Sequence, residues 1–292
     1  MLKRVLKWLG MGLATILVLA FVALVYVYIA SSRIIERTYD VPLVAFEIPS
    51  DPALLADGPR LASLWGCLGG CHGEEGGGKL MFEQPLIGRV RAPNITTILP
   101  DYTDAELERL IRRGVKRGGQ SVFVMPSRFL THLDDALLGS IIAHVRSLPQ
   151  KKDQFKGGVK FGPMGRVFLA LGEFRPSAEE VDADASRREY PGSTDEAALG
   201  EFWATIACSE CHGEDLRGGD DGFSPSLEVV STAYSPADFE LLMRTGIAIG
   251  GRKPGLMSEV ARDNFRHFTP REVAGLYTYL TSHFAADSAA AE

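Results

Sequence analysis

The chain has 292 residues, enough for about two domains at roughly 100–200 residues each. Hydrophobic residues make up 46% and charged residues 23%, which excludes a wholly disordered chain. The net charge is −6 and no basic stripe is present, so no nucleic-acid partner is expected: nothing is placed to displace counterions from phosphates.

The chain opens with Lys3, Arg4 and Lys7, followed by an uncharged run over 8–32. About 20 residues of helix cross the hydrocarbon core. The run is longer than the apolar part of a cleaved signal peptide. Residues 1–32 therefore read as a retained transmembrane anchor, with Tyr26 and Tyr28 at the interface. The rival is cleavage near Ala30-Ser31-Ser32. Basic residues before the run and a large domain after it put the N-terminus inside and the remainder outside. The expected location is a bacterial inner membrane, crossed once, with the rest of the chain in the periplasm. Residues 33–56 carry Pro42, Pro49 and Pro52 and read as an extended stalk.

Helices with long loops follow. One is expected over 59–65, with Pro59 near its start, running into Cys67-Leu68-Gly69-Gly70-Cys71-His72. Thr103-x-x-Glu106 is a capping box for a helix that Gly114 ends. Asp134 opens a helix stopped by Pro149. Residues 151–192 read as a linker. In it Lys151-Lys152-Asp153 is polar, Gly157-Gly158 flexible, 161–174 apolar enough to pack on a domain, and 175–192 an extended strap. Ser193-x-x-Glu196 boxes a helix over 194–207, which runs into Cys208-Ser209-Glu210-Cys211-His212. Ser235-Pro236 starts a helix ending at Gly246. Thr269-x-x-Glu272, with Pro270 at its first helical position, opens the last helix, to about His283. Residues 285–292 read as a disordered tail. No strand alternation stands out, so the expected fold is all-α: the anchor, one domain over 57–150 and another over 193–284.

The four cysteines form two pairs, each with a histidine after its second member. Cys208, Cys211 and His212 make the C-x-x-C-H pattern of covalent haem c attachment. Two thiols about a helical turn apart can add to the two vinyl groups of one haem, and the adjacent imidazole then lies under the iron. Cys67, Cys71 and His72 make the same pattern with one more residue, which Gly69-Gly70 gives the backbone freedom to loop out. Two structural disulfides would leave both histidines and the shared Cys-His-Gly-Glu unexplained. A shared zinc site usually draws on ligands less separated in sequence. Two covalently bound haem c groups are therefore expected.

The segments behind the two motifs repeat. Pro93-Asn94-Ile95 parallels Pro225-Ser226-Leu227, 110–115 parallels 242–247, and Met125 parallels Met257, all 132 residues apart. His72 and His212 are 140 apart, so the first copy has a longer loop behind its motif. Electron-transfer haem iron is commonly held by His and Met. Met125 and Met257 are the candidates opposite His72 and His212, with Met81, Met164 and Met243 as weaker ones and His132 and His267 as imidazole rivals. The carbonyls of Pro93 and Pro225 are candidates to accept the Nδ1–H of the two motif histidines, against an ordinary turn role. Arg112, Arg113 and Arg244 either pair with haem propionates or line a solvated helix face.

These residues in this order resemble class I-type cytochrome c domains. They are most similar to the cytochrome c subunits of membrane-bound alcohol and gluconate dehydrogenases. The resemblance covers about 57–150 well and 193–284 in a more diverged form. It implies two tandem cytochrome c domains, iron ligation by His72 with Met125 and by His212 with Met257, and electron relay as the role. It also implies helix packing of Gly200 and Trp203 against Tyr277 and Tyr279, with Trp65 serving the first domain. Those subunits commonly carry three haems, whereas this chain has motifs for two. The expected function is single-electron relay between redox protein partners, within a larger respiratory or dehydrogenase complex and without an activity of its own. The alternative is a dihaem enzyme, peroxidase-like or thiosulfate-oxidising, which needs one open iron position.

Overall fold

The computed structural model describes residues 1–152, 157–182, 184–192, 195–219, 222 and 224–290. It is mostly helical. Helix α1 (Leu2–Glu36) stands apart with its apolar surface uncovered, and is the one helix among the described residues long and apolar enough to cross a membrane. The first copy then comprises α2 (Pro52–Ala56), α3 (Gly58–Leu64), strands β1 (Lys79–Gln84) and β2 (Gly88–Ala92), and α4 (Ile95–Ile98). It continues with α5 (Asp104–Arg113), α6 (Ser127–Leu130) and α7 (Asp135–Ser147). Strand β3 (Gly158–Phe161), α8 (Pro163–Leu171) and α9 (Ser177–Glu180) connect to the second copy. That copy holds α10 (Glu196–Trp203), α11 (Ser209–His212), α12 (Glu228–Ala233), α13 (Pro236–Thr245), α14 (Gly255–Asp263) and α15 (Pro270–Ala290).

Local chemistry explains the helix ends. Thr103 and Glu106 form the reciprocal capping box of α5, and Gly114 closes it in the left-handed conformation at φ 65°. Gly246 does the same for α13 at φ 71°. Asp134 caps α7, its side chain accepting from Ala136 N and Leu137 N. Thr269 and Glu272 bond reciprocally at the start of α15. Ser193 of the box expected before α10 lies outside the described residues. Asp195 caps α10, accepting from Ala197 N and Ala198 N.

Three features depart from the expected all-α plan. First, β1, β2 and β3 form an antiparallel sheet in that order, with Phe82, Val90 and Val159 in register on one face. The alternation was hidden because β1 carries a bulge between Leu80 and Phe82, which puts Leu80, Met81 and Phe82 in an unbroken apolar run. Its third strand also arrives from beyond α7. Gly158, expected in a flexible stretch, starts that strand. Second, 33–56 is no free stalk. Thr38 bridges to Gln120, Tyr39 N donates to Gly119 O, Arg109 donates to Val41 O, and Phe46 and Ile48 pack on the core. Third, α15 runs through the expected tail to Ala290.

The linker is likewise fastened at both ends. Phe161 and Phe174 stack around Phe123. Ser177 is buried and donates to Met125 O, Arg187 pairs with Asp135 and Glu108, and Arg188 N donates to His132 O. Tyr190 packs edge-on against Phe202 and Trp203. The two copies share one hydrophobic cluster that runs from Leu61 and Leu138 to Trp203 and Phe284. Arg60 of α3 holds Glu272 of α15 and the carbonyl of His267. Trp65 faces Trp203 with ring centroids 6.2 Å apart.

Candidate haem attachment sites

Each motif sits where a helix delivers it to a loop that folds back. In the second copy α10 loosens into a π-turn over Ala204–Cys208 and re-forms as α11, so Cys208, Cys211 and His212 lie on continuous helical backbone. In the first copy α3 stops before the motif. The additional residue is taken up in a turn with Gly66 at φ 70° and Gly69 at φ 78°, and the N–H groups of Cys71 and His72 both return to Gly66 O. No disulfide joins any of the four cysteines. Burial pushes Cys67 and Cys208 up to about 12. Burial also raises Cys71, helped by the Glu210 carboxylate and opposed by the Lys79 ammonium. Thiols held this firmly protonated are poor thiolate ligands. Among the described residues no cluster of three or more His, Cys, Asp or Glu side chains could hold a metal ion.

The loops behind the motifs repeat bond for bond. His72 Nδ1 lies 2.9 Å from Pro93 O, and His212 Nδ1 lies 2.7 Å from Pro225 O. Gly78 N donates to His72 O and Gly218 N to His212 O, both at 2.8 Å. Gly76 N reaches Gly73 O as Leu216 N reaches Gly213 O. Ile95 N then reaches Gly76 O as Leu227 N reaches Leu216 O. Leu216 adopts φ 60° where the first copy has Gly76 at 71°, and is the only non-glycine with positive φ among the described residues. The longer loop of the first copy is now identified: 79–92, the β1–β2 hairpin, stands where the second copy has only 219–224. Asn94 is buried and caps α4 through Thr96 N, as its place in a Pro-Asn-Ile loop requires.

Each histidine–proline bond fixes its ring with Nδ1 occupied, leaving Nε2 as the ring's ligand atom. Burial pulls His72 below the ordinary imidazole value, partly offset by the Pro93 carbonyl, so the ring is held neutral, as ligation requires. These donor sets fit a haem c at each site: paired thiols for two thioethers and an oriented imidazole beside them. Trp65 and Trp203 also present buried Nε1–H groups with no protein partner.

Met125 and Met257 both pack against the core, but in different local structure. Met125 precedes α6 in an irregular turn, and its carbonyl accepts from Ser127 N and Ser177 Oγ. Met257 lies in the first turn of α14. Met243 is buried inside α13, whereas Met81 and Met164 are exposed on the hairpin and α8. His132 Nδ1 is 2.8 Å from Ser186 O, and His267 lies beside the Arg266 guanidinium.

The arginines make protein contacts that the sequence did not show. Arg112 is buried among Glu108, Asp135 and Leu133 O. Arg244, its repeat partner, donates to Arg266 O and Phe268 O. Each clamps the residue just before the cap of its copy's last helix. Arg113 donates to Asp182 O. Sequence reasoning also missed Asn264, whose Nδ2 donates to Ser63 O and Leu64 O beside Gly66 and Gly70. The second copy thereby braces the attachment loop of the first. No local signal could have shown a contact across some 200 residues.

No protein-family model matches the chain. The chain is similar to a fructose dehydrogenase cytochrome subunit of Gluconobacter japonicus, with 28% identity over 212 residues. That match takes in 68% of this chain and 41% of the relative, so the chain spans less than half of the relative's length.

Proposed function

We propose that this chain is a membrane-anchored c-type cytochrome that carries two covalent haems and relays single electrons between redox proteins, as a subunit of a larger membrane-bound dehydrogenase complex. The observation that carries the reading is the duplicated geometry: twice, a cysteine pair precedes a histidine whose Nδ1 meets a proline carbonyl. The similarity to a dehydrogenase cytochrome subunit supports it.

Haem iron bound at each site would supply one-electron redox chemistry. Cys67 with Cys71, and Cys208 with Cys211, would hold the two porphyrins. His72 and His212 would ligate the irons, and Met125 and Met257 would be the second protein ligands. Pro93 and Pro225 would fix the imidazole planes. The shared core, Arg60–Glu272 and the Asn264 brace keep the two sites at a fixed separation, which a relay needs.

Helix α1 would be the retained anchor, with both copies on the periplasmic side of a bacterial inner membrane. Its end is built into the fold: Ser31 is buried and takes a hydrogen bond from Arg166, whose guanidinium lies 4.6 Å from the Tyr28 ring centre. Cleavage near Ala30 would discard part of that contact.

The test is covalent haem per chain, with the oxidised spectrum taken into the near infrared on protein purified from detergent-solubilised membranes. Two haems and a sulfur-to-iron band are expected. One haem would show that the longer Cys67–Cys71 motif does not hold its group. Two haems with a high-spin component and no sulfur band would sink the relay reading and favour a dihaem enzyme.

A further inference from the structure

The β1–β2 hairpin is additional to the repeat and supplies no cysteine or histidine to either attachment motif. Its tip is locked onto α8: Gly162 N donates to Ile87 O and Met164 N to Leu86 O, both at 2.9 Å. Gly165 lies so close that a Cβ there would meet Ile87 O at 2.1 Å. Helix α8 is in turn fastened to the end of α1, because Arg166 Nη1 donates to Ser31 Oγ at 2.8 Å and Ser32 Oγ at 3.1 Å. Hairpin tip, α8 and the end of the anchor are therefore one unit.

That unit presents bare apolar side chains. Leu86 and Ile87 at the tip are 58% and 39% exposed. On α8, Met164, Phe168 and Leu171 are 44%, 37% and 70% exposed, and their spacing puts them on one face, away from buried Gly165 and Leu169. An uncovered patch of this kind marks a contact surface. Its position says with what. The uncharged run starts at Trp8, and about 20 helical residues cross the hydrocarbon, so α1 leaves it near Tyr28, the residue under Arg166. Exposed Arg33 is in the last turn of α1, and exposed Lys160 is on the strand leading into α8. Cations at headgroup height next to apolar side chains one layer deeper are the composition of an interfacial membrane contact.

We propose that the hairpin tip and the outer face of α8 rest in the headgroup layer of the leaflet from which α1 emerges, setting the height and tilt of the first haem site over the membrane. This rests on α1 being a membrane anchor. The test uses the full-length holoprotein in vesicles of phosphatidylethanolamine and phosphatidylglycerol. A benzophenone side chain is introduced singly in place of Leu86, Phe168 or Leu171, in place of Leu17 within α1, or in place of Leu256, which is 67% exposed on α14. Illumination should give lipid adducts at Leu86, Phe168, Leu171 and Leu17, and none at Leu256. Adducts at Leu17 without adducts at the other three would overturn the inference and leave the anchor standing. Adducts at Leu256 as strong as at Leu171 would overturn it as non-selective. Absence of adducts at Leu17 would remove the anchor and the inference together.

Discussion

A single backbone position governs each attachment loop. Gly213 follows the motif histidine at φ 81°, ψ 157°, a region open almost only to glycine. A Cβ there would also meet Gly218 O at 2.6 Å. Gly213→Ala should cost about 1–3 kcal/mol and lower the covalent haem per chain. Gly73→Ala has a similar φ of 77° but meets Gly78 O at a looser 3.2 Å, so its loss should be smaller. The paired arginines can be ranked as well. Arg112 is buried with Glu108, and Arg112→Ala strands that carboxylate with only part-exposed Arg187. It should cost about 3–5 kcal/mol in denaturant unfolding. Arg244→Ala removes hydrogen bonds from a guanidinium that is partly solvated, and should cost about 1.5–3 kcal/mol.

Between elements, the closest approach is α10 on α15. A Cβ on Gly200 would lie 2.0 Å from Gly275 O and 2.7 Å from Tyr279 Cβ. The expected packing of Gly200 against Tyr279 is present, and Gly275 is its unforeseen other half. Trp203 instead meets Phe268 at 5.2 Å, while Tyr277 packs on Phe239 and donates to Tyr234 O. Gly200→Ala should therefore force the helices apart at a cost of about 1–3 kcal/mol. Since α10 runs through the π-turn into Cys208, the same variant should also reduce covalent haem per chain. Unchanged melting and loading would show that α15 can move aside freely.

Across the whole molecule, the contacts between copies predict one cooperative unit. Soret absorbance and far-ultraviolet circular dichroism should unfold together in the parent chain. Arg60→Ala leaves the buried Glu272 carboxylate with its Thr269 hydrogen bond but without this cation, so the loss should be about 3–5 kcal/mol. If Arg60 ties the copies together, the two signals should then separate. Coincident transitions in that variant would mean that the shared core and the Trp65–Trp203 contact suffice.

Local chemistry was legible in the sequence. The apolar N-terminal run, the capping boxes at Thr103 and Thr269, the closing glycines Gly114 and Gly246, and the two Cys–His motifs each depend on residues within a few positions of one another. The repeat also showed, since Pro93 and Pro225 kept their spacing to the later segments. What only the tertiary structure decided depends on distant partners. The strand character of 79–92 needed β3 from beyond α7 and was masked by a bulge. The stalk and the 175–192 strap read as extended because their fastenings, Tyr39 to Gly119 and Arg187 to Glu108, join residues about 80 apart. The arginines looked like surface charges until Leu133 O and Phe268 O were seen within reach. Burial is a property of the assembled chain, and a sequence window holds only one side of each such contact.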